Sequence, residues 1–231
     1  MPQIVISREQ ARKVDRRAIQ QYGLAGVVLM ENAGRGVVDV LEQMEIRGPV
    51  LVACGKGNNA GDGFVIARHL ELRGHRVQVA MWAEPAELSG DAAVNFAILQ
   101  KTDVPIHVFG DCHDADRLAA LLAGADWIVD AILGTGARGE PRTPLDAVID
   151  QLNACPARRL AVDLPSGLDC DTGQAASHTI RAAHTCTFVG LKPGFLVSGV
   201  RDFTGAVHVL DIGVPPKLIA EVLAEAVGSR Q

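Results

Sequence analysis

An alternation constrains this chain more than any other feature. Between residues 49 and 164, short apolar segments recur between stretches of helical periodicity, and the joints are rich in Gly, Asn and Asp. The segments 49–54, 76–82, 104–109, 127–132 and 160–164 read as buried-type strands. Those at 64–73, 88–100, 114–122 and 144–153 read as the helices between them, the last with Thr143 as its cap and Pro144 at its first position. Such a succession predicts an α/β fold, with a mostly parallel sheet covered by helices on both faces and right-handed crossovers. Two helices precede it. Ser7 and Gln10 have capping-box spacing, and Val14, Ala18 and Ile19 carry an apolar stripe to about Tyr22, where Gly23 stops it. Leu29, Ala33, Val37, Val40 and Leu41 place a second helix from about Ala25 to Met44. After Pro165 the pattern changes: 185–189 and 206–210 read as strands with no long helix between them.

Composition removes several classes of function. The 231 residues carry 22 basic against 27 acidic groups, net −5, and aromatics are only 4%. That balance argues against a nucleic-acid or anionic-membrane surface. No apolar run reaches the ~18 residues of a membrane span; the nearest, 118–134, is interrupted by Asp126 and Asp130. The apolar start at 4–6 is too short for a secretory signal and is followed by Arg8, Arg12 and Lys13. Five Cys without a CxxC read as reduced thiols, which predicts a cytoplasmic protein. Seven His without metal spacing make zinc unexpected. No repeat or linker marks a boundary, so 1–231 reads as one domain.

In open α/β sheets, ligands bind beyond the carboxyl ends of the strands. Three polar loops lie there. The first, Gly55-Lys-Gly-Asn-Asn-Ala-Gly-Asp-Gly63, reads as a turn ahead of a helix starting at Phe64. Its backbone and the helix N-terminus suit a phosphate, and Asn58, Asn59 and Asp62 add oxygens. It also satisfies a loose GxGxxA, although a plain strand-to-helix turn would look similar. The second runs from Asp130, a carboxylate ending an apolar strand, through Gly134, Thr135 and Gly136 to Arg138. It offers amides, a hydroxyl and a guanidinium to an anion, or is a capped loop with a solvated Arg. The third is Val162-Asp-Leu-Pro-Ser-Gly-Leu-Asp169, where Asp163 ends another apolar strand and Ser166 sits in a turn. Lys192, before Pro193 and Gly194, is either a cation at the same edge or a solvated turn lysine.

Taken in order, these strings resemble the NAD(P)H-hydrate epimerase family, also called the YjeF N-terminal domain. The resemblance rests on Leu29-Met-Glu-Asn-Ala-Gly34, Gly57-Asn-Asn-Ala-Gly-Asp-Gly63 with Ala67-Arg-His-Leu70, Asp130 with Gly134-Thr-Gly136, Val162-Asp-Leu-Pro-Ser-Gly167 and Lys192-Pro-Gly194. It runs from about Asp15 to Asp211. It implies a Rossmann-like three-layer αβα sandwich, often a homodimer. The implied reaction interconverts the R and S hydrates of NADH and NADPH (NADHX and NADPHX) at C6, so that a separate dehydratase regenerates the cofactor. It implies a potassium ion on Asn59, Asp130 and Ser166. The hydrated nucleotide would be held by Asn58, Asn59, Ala60, Gly61 and Asp62, by Gly134, Thr135, Gly136, Ala137, Arg138, Gly139 and Glu140, and by Asp163. The family loop carries two Gly after the Asn pair, whereas this chain has Ala60 first. A positive φ there would cost Ala up to about one or two kcal/mol. The dehydratase domain fused to some relatives is not expected within this length.

Epimerisation by loss and return of the hydroxyl needs an acid and a base. Asp163 is the expected acid/base and Lys192 the second group. Three rivals remain at this level. One is a nicotinamide dehydrogenase, favoured by GxGxxA and by Glu84 after the second strand. Another is a non-enzymatic nucleotide-binding or protein-interaction scaffold on the same fold. The third is a hydrolase on Ser166, although no GxSxG elbow is present.

Overall fold

The computed structural model describes residues 4–228. Helix α1 (Arg8–Gln20) opens on the expected capping box: Gln10 N–H donates to Ser7 Oγ, and Ser7 N–H donates to Gln10 Oε1. Helix α2 (Gly26–Gln43) follows. Then come β1 (Val50–Cys54), α3 (Asn58–Leu72), β2 (Val77–Met81), α4 (Gly90–Leu99), β3 (Ile106–Val108), α5 (Ala115–Leu122), β4 (Trp127–Ala131), α6 (Leu145–Ala154) and β5 (Arg158–Val162). The chain ends through β6 (His184–Phe188), a short α7 (Arg201–Thr204), β7 (Ala206–Leu210) and α8 (Pro216–Gly228). All seven strands are parallel, in the order β3-β2-β1-β4-β5-β6-β7. The predicted α/β class, parallel sheet and two N-terminal helices therefore hold.

The pleat divides each central strand between two cores. From β1, Val50, Val52 and Cys54 join Val37 and Leu41 of α2, Phe64 and Leu70 of α3 and Phe96 of α4. Leu51 and Ala53 face the other way, into Leu118 of α5 and Val148 and Leu152 of α6. A third core lies off the sheet. Val14 and Ala18 of α1, Leu29 and Ala33 of α2, and Leu218 and Val222 of α8 close on one another there.

Three expectations need correction. Helix α3 begins at Asn58, inside the glycine-rich string, and not at Phe64. It opens with Asn58 exposed and Asn59 and Asp62 buried, so apolar periodicity does not register its start. Ala60 is consequently helical and fully buried, and the anticipated positive-φ cost does not arise. Helix α6 starts at Leu145, with Pro144 as its cap residue, one position later than predicted. Helix α8 was not predicted at all, although Pro216 at its first position and the spacing of Leu218, Ile219, Val222 and Leu223 are helix signals. Parallel pairing of β6 with β7 without a long helix is achieved by the crossover at 189–205, which holds a single 3-10 turn (Pro193–Leu196) and α7.

Candidate active site at the carboxyl edge of the sheet

Two glycines set the wall of the site. A Cβ on Gly34 of α2 would lie 2.5 Å from Val65 Cγ1, and one on Gly61 of α3 would lie 2.6 Å from Met30 Sδ. The two helices thus approach more closely than any larger residue permits. Glu31 of α2 then accepts hydrogen bonds from Arg68 and, at 2.7 Å, pairs with His69 Nε2 of α3. Two of the strings singled out in the sequence are therefore halves of one helix–helix contact.

Beyond this wall, over the ends of β1, β4, β5 and β6, lies a cavity of about 630 Å³. The first loop and α3 contribute Gly57, Asn58, Asn59 and Asp62, and the second loop contributes Gly134, Thr135, Gly136 and Ala137. Asp163 follows β5, and Val189 and Lys192 follow β6. The N-terminal helices supply Arg12, Asp15, Leu29 and Met30. As the start of α3, Asn58, Asn59 and Ala60 have N–H groups without intrahelical acceptors, whereas Gly61 N–H already bonds to the Gly57 carbonyl.

Asp163 and Val189 occupy equivalent, strained positions. Their φ angles are 62° and 68°. Each centres a tight turn: Leu164 N–H reaches the Val162 carbonyl at 2.7 Å, and Gly190 N–H reaches the Phe188 carbonyl at 2.7 Å. A β-branched Val at positive φ is a rare conformation, and such residues cluster where a site holds side chains in place. The two turns bring Asp163 Oδ1 to 3.1 Å from Lys192 Nζ. Thr187 Oγ1 donates to the same oxygen at 3.1 Å, and Lys192 Nζ also donates to the Phe188 carbonyl at 3.1 Å. Lys192 is only 2% exposed, so it is a buried ion-pair partner and not a solvated turn residue.

Two further carboxyls face this pair. Asp62 is held well above the usual carboxylate range, first by burial and then by the charges of Asp163 and Asp15. Asp15 is raised to about 6 by burial and by Asp163, against an opposing pull from Lys192. It lines the cavity and is exposed to solvent. Its position in a helix of mostly charged residues gave no sequence signal; only the packing of α1 across the sheet edge reveals it.

The expected cation ligands also converge. Asp130 is fully buried on β4. It accepts bonds from Ser166 N–H at 2.8 Å, Ser166 Oγ at 2.6 Å and Ile132 N–H at 3.2 Å, while burial raises it to about 6. Leu133 links the set: its N–H donates to Ser166 Oγ at 2.9 Å, and its carbonyl accepts from Asn59 Nδ2 at 3.2 Å. Asn59 Oδ1 is buried without a hydrogen-bond partner among the described residues. Leaving such an oxygen unpaired costs about 1–3 kcal/mol, and an all-oxygen set with one open acceptor suits a hard monovalent cation.

The remaining candidate residues separate. Ala60 packs into the core, and Gly61 is closed off by Met30. Arg138, Gly139 and Glu140 face a second hollow of about 250 Å³ beside Leu164 and Asp169. Glu140 there accepts from Ser177 N–H at 2.9 Å. The second loop therefore straddles two cavities. Two rival readings lose their footing. Ser166 is fully buried and bonded to Asp130, with no His partner among the described residues. Glu84 is used in a capping box with Glu87.

The model of the family described as YjeF-related protein N-terminus matches residues 26–194. A protein of Pirellula staleyi named NAD(P)H-hydrate epimerase is 48% identical, over 95% of this chain and 97% of its own. One of Rhodopirellula baltica with the same name is 44% identical over 92% and 86%. A protein of Moorella thermoacetica named bifunctional NAD(P)H-hydrate repair enzyme Nnr is 41% identical over 94% of this chain but 42% of its own length. A crystal structure of yeast ynu0, YNL200c, superposes with a TM-score of 0.82 at 27% identity, covering 95% of this chain and 93% of that one. The chain belongs to the YjeF-related N-terminal family.

Proposed function

We infer that this protein is an NAD(P)H-hydrate epimerase, which interconverts the R and S hydrates of NADH and NADPH. The carrying observation is near full-length similarity to two relatives so named, in a fold whose strand-end loops meet at one cavity. Asn58, Asn59 and Asp62 with Gly134, Thr135, Gly136 and Ala137 are proposed to hold the nucleotide. Free amides at the start of α3 would meet the pyrophosphate. Arg138, Gly139 and Glu140, turned to the second hollow, are assigned to an outlying part of the ligand. A potassium ion is proposed on Asn59, Asp130 and Ser166, where it would supply a fixed positive charge opposing the phosphates.

For the reaction, the ring nitrogen lone pair expels the C6 hydroxyl as an acid protonates it. The cationic C=N that results takes up water on the opposite face, and a base removes that water's proton. Atoms and charge balance, and no redox change occurs. Asp163 is proposed as one acid/base, oriented by Thr187 and paired with Lys192. A separate dehydratase as functional partner, homodimerisation and a cytoplasmic location are part of this reading. No helix among the described residues is long and apolar enough to cross a membrane. The test is epimerisation of purified R hydrate, followed by chromatographic separation of the two forms. Equilibration at a rate proportional to enzyme supports the assignment; an unchanged R hydrate overturns it.

A further inference from the structure

Inversion by departure and return of water needs proton transfer on both faces of the ring. Asp163 supplies one carboxyl, from the end of β5. The same cavity receives a second carboxyl from a different wall, Asp15 on α1. Among the described residues Asp15 has no hydrogen-bond or ion-pair partner, unlike Asp163, which is anchored by Thr187 and Lys192. The two are close enough for each charge to be felt by the other, yet they do not bond. A solvent-exposed carboxyl on the cavity wall, without a partner among the described residues, is available to a substrate. Asp163 and Lys192 act on its charge and it acts on that of Asp62, while Arg12, Lys56, Glu87, Asp91, Asp111 and Arg142 also line the cavity.

We propose that Asp15 is the second acid/base of the epimerase, serving the ring face opposite Asp163. The proposal rests on the epimerase reading. In one direction Asp15 gives its proton to the leaving hydroxyl, which departs as water. A water arriving on the other face adds its oxygen to C6 and passes a proton to the Asp163 carboxylate. The reverse direction exchanges the two roles, and proton exchange with solvent resets the pair. The raised Asp15 carboxyl, about 6, leaves roughly a tenth of it protonated at pH 7, enough for an acid that must also act as a base.

The experiment compares the unaltered protein with Asp15→Asn, Asp15→Glu and Asp163→Asn on purified R and S hydrates. It reads kcat and KM separately across pH 5–9, together with nucleotide binding by calorimetry. Asp15→Asn is expected to lower kcat about 10²–10⁴-fold in both directions, with binding within threefold. It should also remove the limb of the pH profile near 6, and Asp15→Glu should restore part of the rate. An Asp15→Asn enzyme that keeps kcat within threefold, or keeps that limb, overturns the role of Asp15 while the epimerase reading stands. Inactivity of the unaltered protein overturns both.

Discussion

The buried pair of Asp163 and Lys192 offers a perturbation whose stability and activity effects separate. Asn is the informative replacement at 163. It is isosteric, it tolerates the φ of 62° that a larger or branched residue would resist, and its carbonyl still accepts from Thr187 and Lys192. Charge alone is removed. Deleting one partner of a buried pair outright costs roughly 3–5 kcal/mol because the other charge is stranded. Retaining a hydrogen bond lowers that to about 1–3 kcal/mol. For a chain of this length the midpoint of thermal unfolding should fall by roughly 2–12 °C. Turnover should fall much further, about 10²–10⁴-fold, with nucleotide binding retained. The double variant Asp163→Asn with Lys192→Met removes the stranded ammonium, so it should regain part of the lost stability and none of the activity. Unfolding by urea and epimerisation of R hydrate measure the two effects. A single variant as stable as the parent within 0.5 kcal/mol, or active within threefold (roughly the limits of ordinary surface substitutions), would refute this account of the pair.

Further outcomes follow from other parts of the site. Asp62 has a folded-state pKa raised by burial, so the native state holds its proton where the unfolded chain has released it. Stability should therefore fall as pH rises above the unfolded carboxylate range, and Asp62→Asn should gain on the parent between pH 5 and pH 8 in urea unfolding; an identical slope in both would contradict it. Potassium chloride should raise the unfolding temperature above an equal ionic strength of choline chloride, and Asn59→Ala should remove that difference. Gly34→Ala should cost about 1–3 kcal/mol, since its Cβ would meet Val65 Cγ1 at 2.5 Å and force α2 from α3; an unchanged denaturation midpoint would show that the helices move apart freely. Active-serine reagents should leave Ser166 unlabelled even at long exposure.

Much of this was written in local sequence. Strands 49–54 and 127–132 announce themselves by short apolar runs, and the helices between them by period, because each element must bury one face. Glycine and Asn at the strand ends mark the loops, so the edge of the sheet and its carboxylates Asp130 and Asp163 were legible from composition and order alone. What escaped were properties that depend on a distant neighbour. The first turn of α3 looks like a loop because the side of it that is buried is polar, facing the cavity. Ala60 appears strained only if the string is a turn; in a helix it is core. Lys192 reads equally as a cation at the sheet edge or a solvated turn lysine until the crossover at 189–205 folds it onto Asp163. Asp15 is indistinguishable from its charged neighbours until α1 is laid across the sheet edge, where burial and the charge of Asp163 raise its pKa. Local sequence settles how a segment coils, since backbone hydrogen bonds and side-chain period act within a few residues. The charge state and reach of a side chain depend on the dielectric and the partners around it, and those come from segments far away in the chain.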